Sequence, residues 1–446
     1  MAHEPAAGPS GAQGRPLRER KLWIPQMSWG GAVAFAAAFR SLSIDAEICP
    51  DGDARTLELG SCHTSGEECL PARTTLGNFL KIIQKPGFAP DRTAFFMPTA
   101  DGPCRFGQYA PYIRKVLRDL ALDEVLVFAP SSRDGYQGIG AQAQELMRNA
   151  YRGLVCADIL RKMLHRIRPY EVHRGDTDGV HERAITAIAG VLERPGVTLE
   201  ARLRQLEAAL RGARDDFRRL SVRYSQRPLI GVVGEIACRL TPFMNDDIIR
   251  NIEERGGECT LAHIVEWVSY TNAEHQKRLR QQGRAFSKAM LAAKISSYIQ
   301  HRDEHRLSRV FASDFRGYEE PSTRTVLRYA EPYLPAAGAL GEMTLSVGKS
   351  VFHYRQGCDG VVDIAPFGCM NGIVTEAVYP RVSADCDDMP IRNFFFDGTG
   401  TSLGHTLDVF MELARSYQVR KRVRRVYPVQ NLDLAASATR NQRCAP

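Results

Sequence analysis

Residues 93–130 read TAFFMPTADGPCRFGQYAPYIRKVLRDLALDEVLVFAP, and within them two short apolar runs flank one amphipathic segment. TAFFMP and EVLVFAP have the length and the Val, Phe and Leu content of buried strands, and each ends at a proline. YAPYIRKVLRDLAL, between them, carries the period of a helix. Strand, helix, strand is the rhythm of a parallel sheet covered on both faces.

The same rhythm extends in both directions. Upstream, KLWIP reads as a strand, GGAVAFAAAFRSL as a helix of small residues and IDAEICP as a further strand. Downstream, the signal from Gly140 to Tyr224 is almost wholly helical, with Leu199, Leu203, Leu206 and Leu210 spaced four, three and four apart. PLIGVVGEI then restarts the alternation, MNDDIIRNIEERGG is its helix and CTLAHIVEWV the next strand region. A helical stretch spans Ala285 to Val310. DGVVDIAPF and IRNFFFDG are strands, and SLGHTLDVFMELARSYQVRKRV is the last helix. The expected fold is therefore α/β: two doubly wound parallel-sheet domains with helical connecting segments. Residues 1–20 read as a disordered tail on their Pro, Gly and charge content. Residues 21–225 form an N-terminal domain with a helical bridge, and residues 226–446 form a C-terminal domain. No segment recurs at the period of a solenoid or propeller.

The chain has 446 residues, 44% apolar and 25% charged, enough for two or three cores without disulfide staples. Its longest small, apolar stretch, Gly30 to Phe39, is far shorter than the ~20 residues of a membrane span. The first 21 residues, MAHEPAAGPSGAQGRPLRERK, lack the apolar core of a secretory signal. A cytoplasmic location is expected, where the 11 cysteines stay reduced and serve packing, metal binding or catalysis. The formal net charge of +8 is concentrated in ARSYQVRKRVRRVYP near the C-terminus. That run could hold phosphates; the commoner reading is the solvated face and last turn of a helix.

Several familiar motifs fail. GEMTLSVGKS ends like a phosphate loop, but Met343 stands where the first glycine is required. GIGAQA at Gly138 to Ala143 fits a loose dinucleotide pattern, yet it begins eight positions after the preceding strand's Pro130, too far for a tight phosphate turn. No H-E-x-x-H, paired C-x-x-C or G-x-S-x-G is present.

Three cysteines remain in suggestive settings: Cys69 in SGEECLPARTTLG, Cys104 in PTADGPCRFGQY and Cys369 in VVDIAPFGCMNG. For the last two, an apolar strand runs into a Pro and Gly turn, and the cysteine precedes a helix. In open α/β sheets this end of the strands binds ligands. A helix N-terminus also lowers a thiol's pKa, which favours a metal-ligating thiolate. Soft thiolates select zinc or an iron–sulfur cluster. A closed zinc site prefers C-x2-4-C pairs, which are absent, although Cys62 with His63 could supply a fourth ligand.

GEECLPARTTLGNFL, ADGPCRFGQYAPYIRKVL, GEIACRLTPFMNDDIIRNIEERGGE, DGVVDIAPFGCMNGIVTEA and MPIRNFFFDGTG with HTLDVFMELA together resemble the 2-hydroxyacyl-CoA dehydratase and benzoyl-CoA reductase superfamily. The resemblance runs from about Lys21 to Ala414 and is closest to the activase-related, double-cubane-cluster branch. It implies an oxygen-sensitive iron–sulfur cluster, 4Fe-4S or a double-cubane variant, held by Cys69, Cys104 and Cys369. Cys358, eleven residues before Cys369, is not counted as a ligand. Cys49, Cys156, Cys238, Cys259, Cys386 and Cys444 match no ligand position and are read as packing or tail thiols.

The resemblance further implies a lyase or oxidoreductase activity. A separate ATP-dependent activase would deliver a low-potential electron, and an acyl-CoA or small molecule would be reduced. A homodimer or heterodimer is expected, with neither membrane nor nucleic acid as partner. Glu235 and Arg239 in GEIACR are candidate pocket residues or an ion pair at the domain seam. Arg105 is a candidate to hydrogen-bond the cluster or attract an anionic substrate, or else a plain surface arginine. The alternatives are a non-catalytic electron carrier or assembly partner and, further off, a zinc-stabilised α/β binding protein.

Overall fold

The computed structural model describes residues 15–100, 102–130, 142–335, 341–400 and 403–427. In chain order the first half contains β1 (Lys21–Ile24), α1 (Trp29–Arg40), β2 (Ala46–Ile48), α2 (Ala54–Ser61), α3 (Leu70–Ile83), β3 (Thr93–Phe96), α4 (Tyr109–Asp119) and β4 (Leu126–Phe128). Three long helices follow: α5 (Ala143–Ile167), α6 (Asp176–Leu192) and α7 (Leu199–Arg218). The second half contains β5 (Leu229–Gly234), α8 (Ile236–Leu240), α9 (Ile248–Glu254), β6 (Glu258–Leu261), α10 (Ile264–Gln281), α11 (Lys288–Ser308) and α12 (Thr323–Ala330). It closes with α13 (Glu342–Arg355), β7 (Gly360–Pro366), α14 (Met370–Asp385), β8 (Ile391–Phe396) and α15 (Leu403–Arg420).

The fold is α/β, with two four-stranded sheets whose pairings are all parallel. Their orders are β2-β1-β3-β4 and β6-β5-β7-β8, the same topology twice. In each, the order reverses between the first and third strands of the set, and a crevice opens beyond their carboxyl ends. All seven residues of β7 are buried, as helices on both faces require.

α5 joins the two halves. It packs against α1, α6 and α7 on one side and α10, α11 and β6 on the other. One apolar cluster accordingly takes in Ala34, Leu160, Ile188 and Leu206 together with Leu229, Val265 and Phe311 from beyond residue 225. α2 and α3 meet so closely that a Cβ on Gly77 would lie 1.8 Å from the Thr56 carbonyl oxygen.

Three local readings change. The CTLAHIVEWV strand ends at Leu261, and residues from Ile264 onward form α10, whose buried Ile264, Val265 and Tyr270 face the core. GEMTLSVGKS, already set aside as a phosphate loop, is most of α13, buried along nearly its whole length. Residues 15–20 belong to the folded body, because buried Arg20 donates to the carbonyls of Thr93 (3.1 Å) and Glu124 (2.7 Å); residues 1–14 lie outside the described residues, as do most of GIGAQA and Cys444. The C-terminal basic run is not merely a solvated face: Lys421 pairs with Asp359 at 2.6 Å and Arg425 with Glu258 at 2.5 Å, all four buried.

Candidate functional site

The three singled-out cysteines occupy equivalent places. Cys69 is the N-cap of α3, Cys104 the N-cap of a short helical turn over residues 105–108 that runs into α4, and Cys369 the N-cap of α14. Each has extended backbone angles, and none donates or accepts a side-chain capping bond. Amides in the first turns of those helices, of Ala72 for Cys69, Phe106 for Cys104 and Gly372 and Asn371 for Cys369, nonetheless favour the thiolates. Cys104 follows β3 and Cys369 follows β7, so the loops come from the switch point of both sheets.

Arg105 ties these loops together. Its Nη2 donates to the Gly368 carbonyl at 2.8 Å, and its Nη1 donates to the Glu67 carbonyl. Gly368 precedes Cys369, Glu67 lies two residues before Cys69, and Arg105 itself follows Cys104. One exposed guanidinium thus spans all three cysteine segments, as the planar fork of arginine permits. Arg73 adds a second tie, from α3 to the Asp397 carbonyl at the end of β8.

Beneath the thiols lie two carboxylates. The N–H groups of Ala237 and Cys238 donate to Glu235 Oε1 and Oε2 at 3.1 and 2.7 Å, and the N–H of Ile236 donates to Glu342 Oε1 at 3.0 Å. Three successive amides at the start of α8 therefore serve both groups. This turn needs Gly234, whose φ of +117° is the left-handed side of the map, and whose missing Cβ would lie 2.0 Å from the Ile364 carbonyl. Asn371 Oδ1 accepts from the Met343 N–H at 3.4 Å, linking the start of α13 to the first turn of α14.

Burial dominates the electrostatics. It pushes Glu235 above the usual carboxylate range and, reinforced by the neighbouring Glu235 charge, pushes Glu342 well above it. Arg239, buried beside both, pulls the other way, and its Nε has no hydrogen-bond partner among the described residues. The thiols are raised as well: Cys69 and Cys104 in direction, Cys369 to about 12, in each case first by desolvation and then in part by Glu235. Cys104 is exposed as a residue, though its flanking loops desolvate the sulfur. The expectation of helix-stabilised thiolates is thus corrected, because desolvation and the Glu235 charge outweigh the helix N-termini. The Tyr109 hydroxyl, 2.6 Å from Cys69 Sγ, acts in the opposite direction.

Tyr109 and Glu342 are site residues that sequence reasoning did not single out, although both lie inside quoted stretches. Cys238 is a buried thiol in the core of the second sheet, as its packing assignment requires, and it also senses Cys369 and Cys69. Cys358 is buried beside Lys421 and Arg425. Cys62 is exposed at the C-terminal end of α2, and the carbonyl of His63 accepts from the Tyr112 hydroxyl.

Behind Arg239 a small cleft is bounded by His263, Glu266, Glu342 and Lys349. Beyond it Glu320 accepts from Lys349 at 2.5 Å and from Lys162, with His263 Nε2 at 3.4 Å. Burial disfavours the Glu320 charge, but His263, Lys162 and Lys349 outweigh that and hold it well below the carboxylate range.

Three soft thiols suit zinc or iron–sulfur chemistry and not hard cations. Among the described residues no three His, Cys, Asp or Glu side chains converge on the position of a single metal ion. Thiolates are also the usual donors to iron–sulfur clusters. The molecule is thus an α/β protein with a thiol and carboxyl site above two parallel sheets. No protein-family model matches the chain, and neither does any curated protein. Among the described residues no helix is long and apolar enough to cross a membrane.

Proposed function

We propose that the chain is the catalytic component of a reductase or dehydratase-like system akin to the 2-hydroxyacyl-CoA dehydratases, cytoplasmic and dimeric. It would hold an iron–sulfur cluster on Cys69, Cys104 and Cys369, accept low-potential electrons from a separate ATP-dependent activase, and reduce an acyl-CoA or small molecule. The observation that carries this reading is the joining of three N-cap cysteine segments by Arg105 above the Glu235 and Glu342 pair.

When bound, the cluster supplies one-electron transfer and a Lewis-acidic iron. The chain's own residues prepare for it. Its thiols must shed their protons on loading, and because burial and Glu235 retain those protons, loading strengthens as pH rises. Glu342 Oε1 is committed to the Ile236 amide, which leaves Oε2 to carry the proton that its raised pKa retains. A departing hydroxyl or a reduced substrate needs such a proton. Arg239 balances the charge when that proton leaves.

Anaerobic purification followed by iron and acid-labile sulfide analysis tests the reading. Iron with sulfide is expected, together with loss of both in Cys69→Ala, Cys104→Ala and Cys369→Ala and retention in Cys358→Ala. A colourless protein with one zinc and no sulfide, or retention in all three variants, overturns it. The exposure of Cys104 also suits an electron carrier. Normal electron uptake from reduced activase without turnover of a 2-hydroxyacyl-CoA or small reducible molecule would favour that second reading.

A further inference from the structure

A helical hairpin on the far side of α5 carries Phe286, the most exposed of the large apolar side chains among the described residues. α10 and α11 pack side by side, with Asn272 donating to Gln300 at 2.6 Å and Gln276 to Ser297 at 2.9 Å. At the hairpin's tip Phe286 is fully exposed, and along α11 Leu291, Ile295 and Tyr298 are 60%, 50% and 70% exposed. Positions 291, 295 and 298 share one helical face. At 100° per residue, Lys288 and Lys294 lie about 60° to either side of that stripe's middle. Long cationic side chains bordering an apolar stripe can lay their stems along it while their charges stay in water.

Between Glu274 and Asp303 the hairpin's own charges have one sign. From His275 to Arg302 the sequence contains no Asp or Glu, against seven Lys and Arg. Arg280, Arg284, Lys288 and Lys294 are exposed. A second copy pairing through the same stripe would bring lysine against lysine, which disfavours that occupant. A flat anionic surface meets both features and needs no complementary groove.

We propose, in place of the expectation that no membrane is a partner, that this hairpin docks on an anionic lipid surface. Phe286, Leu291, Ile295 and Tyr298 enter the boundary between headgroups and acyl chains, and Arg284, Lys288 and Lys294 meet the lipid phosphates. The contact is peripheral, with α11 lying in the plane of the interface, and it is independent of the cysteine site.

The test is co-sedimentation of the full chain with vesicles of phosphatidylcholine containing one third phosphatidylglycerol, and with vesicles of phosphatidylcholine alone. Binding to the anionic vesicles, weakened by high salt, is expected. Phe286→Ser should lower the partition coefficient about tenfold, from the lost burial of one aromatic side chain. Lys288→Ala with Lys294→Ala should lower it about 25-fold, about fivefold per charge. All these side chains are exposed, so circular dichroism should be unchanged. The proposal is overturned by no pelleting with anionic vesicles, by equal pelleting with neutral ones, by affinity that the variants leave unchanged, or by a concentration-dependent dimer that Phe286→Ser abolishes.

Discussion

The helix contacts of α1 with α5 and α6 and of α2 with α3, on the one hand, and the tract that runs from Glu342 to Glu320, on the other, are held together by opposite means. α1 buries Gly30, Gly31 and five alanines, and α2 and α3 touch through Gly77. These glycine and alanine contacts desolvate no charge and depend on shape, and the one ion pair beside them, Lys81 with Asp53 at 2.9 Å, lies at a partly exposed edge. The tract instead buries Lys162, Lys349 and Glu342, with His263, against half-buried Glu320 and Glu266. Its stability depends on every partner being present, since an uncompensated buried charge costs far more than an intact pair gains. Shape-built contact should be indifferent to pH and sensitive to a single methyl group. Charge-built contact should respond to pH and to the loss of one partner.

The largest effect is expected at the charged end. Glu320→Ala leaves Lys162 and Lys349 buried without their shared acceptor, and should destabilise the fold by roughly 3–5 kcal/mol in denaturant titration. A loss below about 1 kcal/mol would mean that the lysines reach water, and the contrast between the two regions would collapse. At the other end, Gly77→Ala should cost about 1–3 kcal/mol by forcing α2 away from α3, equally at pH 5 and pH 8. A pH-dependent penalty there would break the comparison from its other side.

Acid should act on the buried histidines. Burial, aided by neighbouring cations, holds His263 to about 4 and His353 to about 3, and His165 and His181 to about 4. These folded-state values lie below the unfolded value of about 6.5, so the unfolded chain binds more protons between them. Stability from this source is complete above pH 6.5 and is lost as pH falls toward 4. Asp363, raised by burial to about 6, works in reverse: its contribution is complete below the unfolded value of about 3.9 and lost as pH rises through 6. Replacing one histidine isolates the first effect. His353→Leu should flatten the slope of unfolding free energy between pH 4 and 6 by about 1.4 kcal/mol per pH unit, one proton's worth. An unchanged slope would show that His353 is charged in the native state.

The two regions also differ in how far they could be read in advance. Buried parallel strands are short apolar runs, so all eight overlap segments read as strands, β6 beginning one residue ahead of its segment, and Pro and Gly turns marked where Cys104 and Cys369 precede helices. α13 was opaque because a helix buried all round has no polar face to reveal its period, and its Gly348, Lys349 and Ser350 imitate a loop. The Glu342 role was equally hidden, since the amide it serves lies 106 positions away. The direction of the thiol shifts was missed for a related reason. A helix N-terminus is visible in local sequence, whereas desolvation and the Glu235 charge exist only in the folded chain.

Arg105 offers the smallest expected effect on stability and the sharpest test of what joins the regions. It is exposed, and its bonds to the Glu67 and Gly368 carbonyls reach segments 38 and 263 positions away. Arg105→Ala should leave the unfolding midpoint unchanged, because an exposed side chain contributes little to the global equilibrium. The local equilibrium should move, since loops released from a shared donor open more often than the core. In the metal-free protein, alkylation of Cys69 and Cys369 by a neutral reagent should then quicken several-fold, while buried Cys156 and Cys358 stay protected. Arg105→Lys should restore only part of the protection, because one ammonium cannot reproduce a fork that spans two carbonyls. Equal alkylation rates in all three proteins would mean that the cysteine segments hold their places without the clamp.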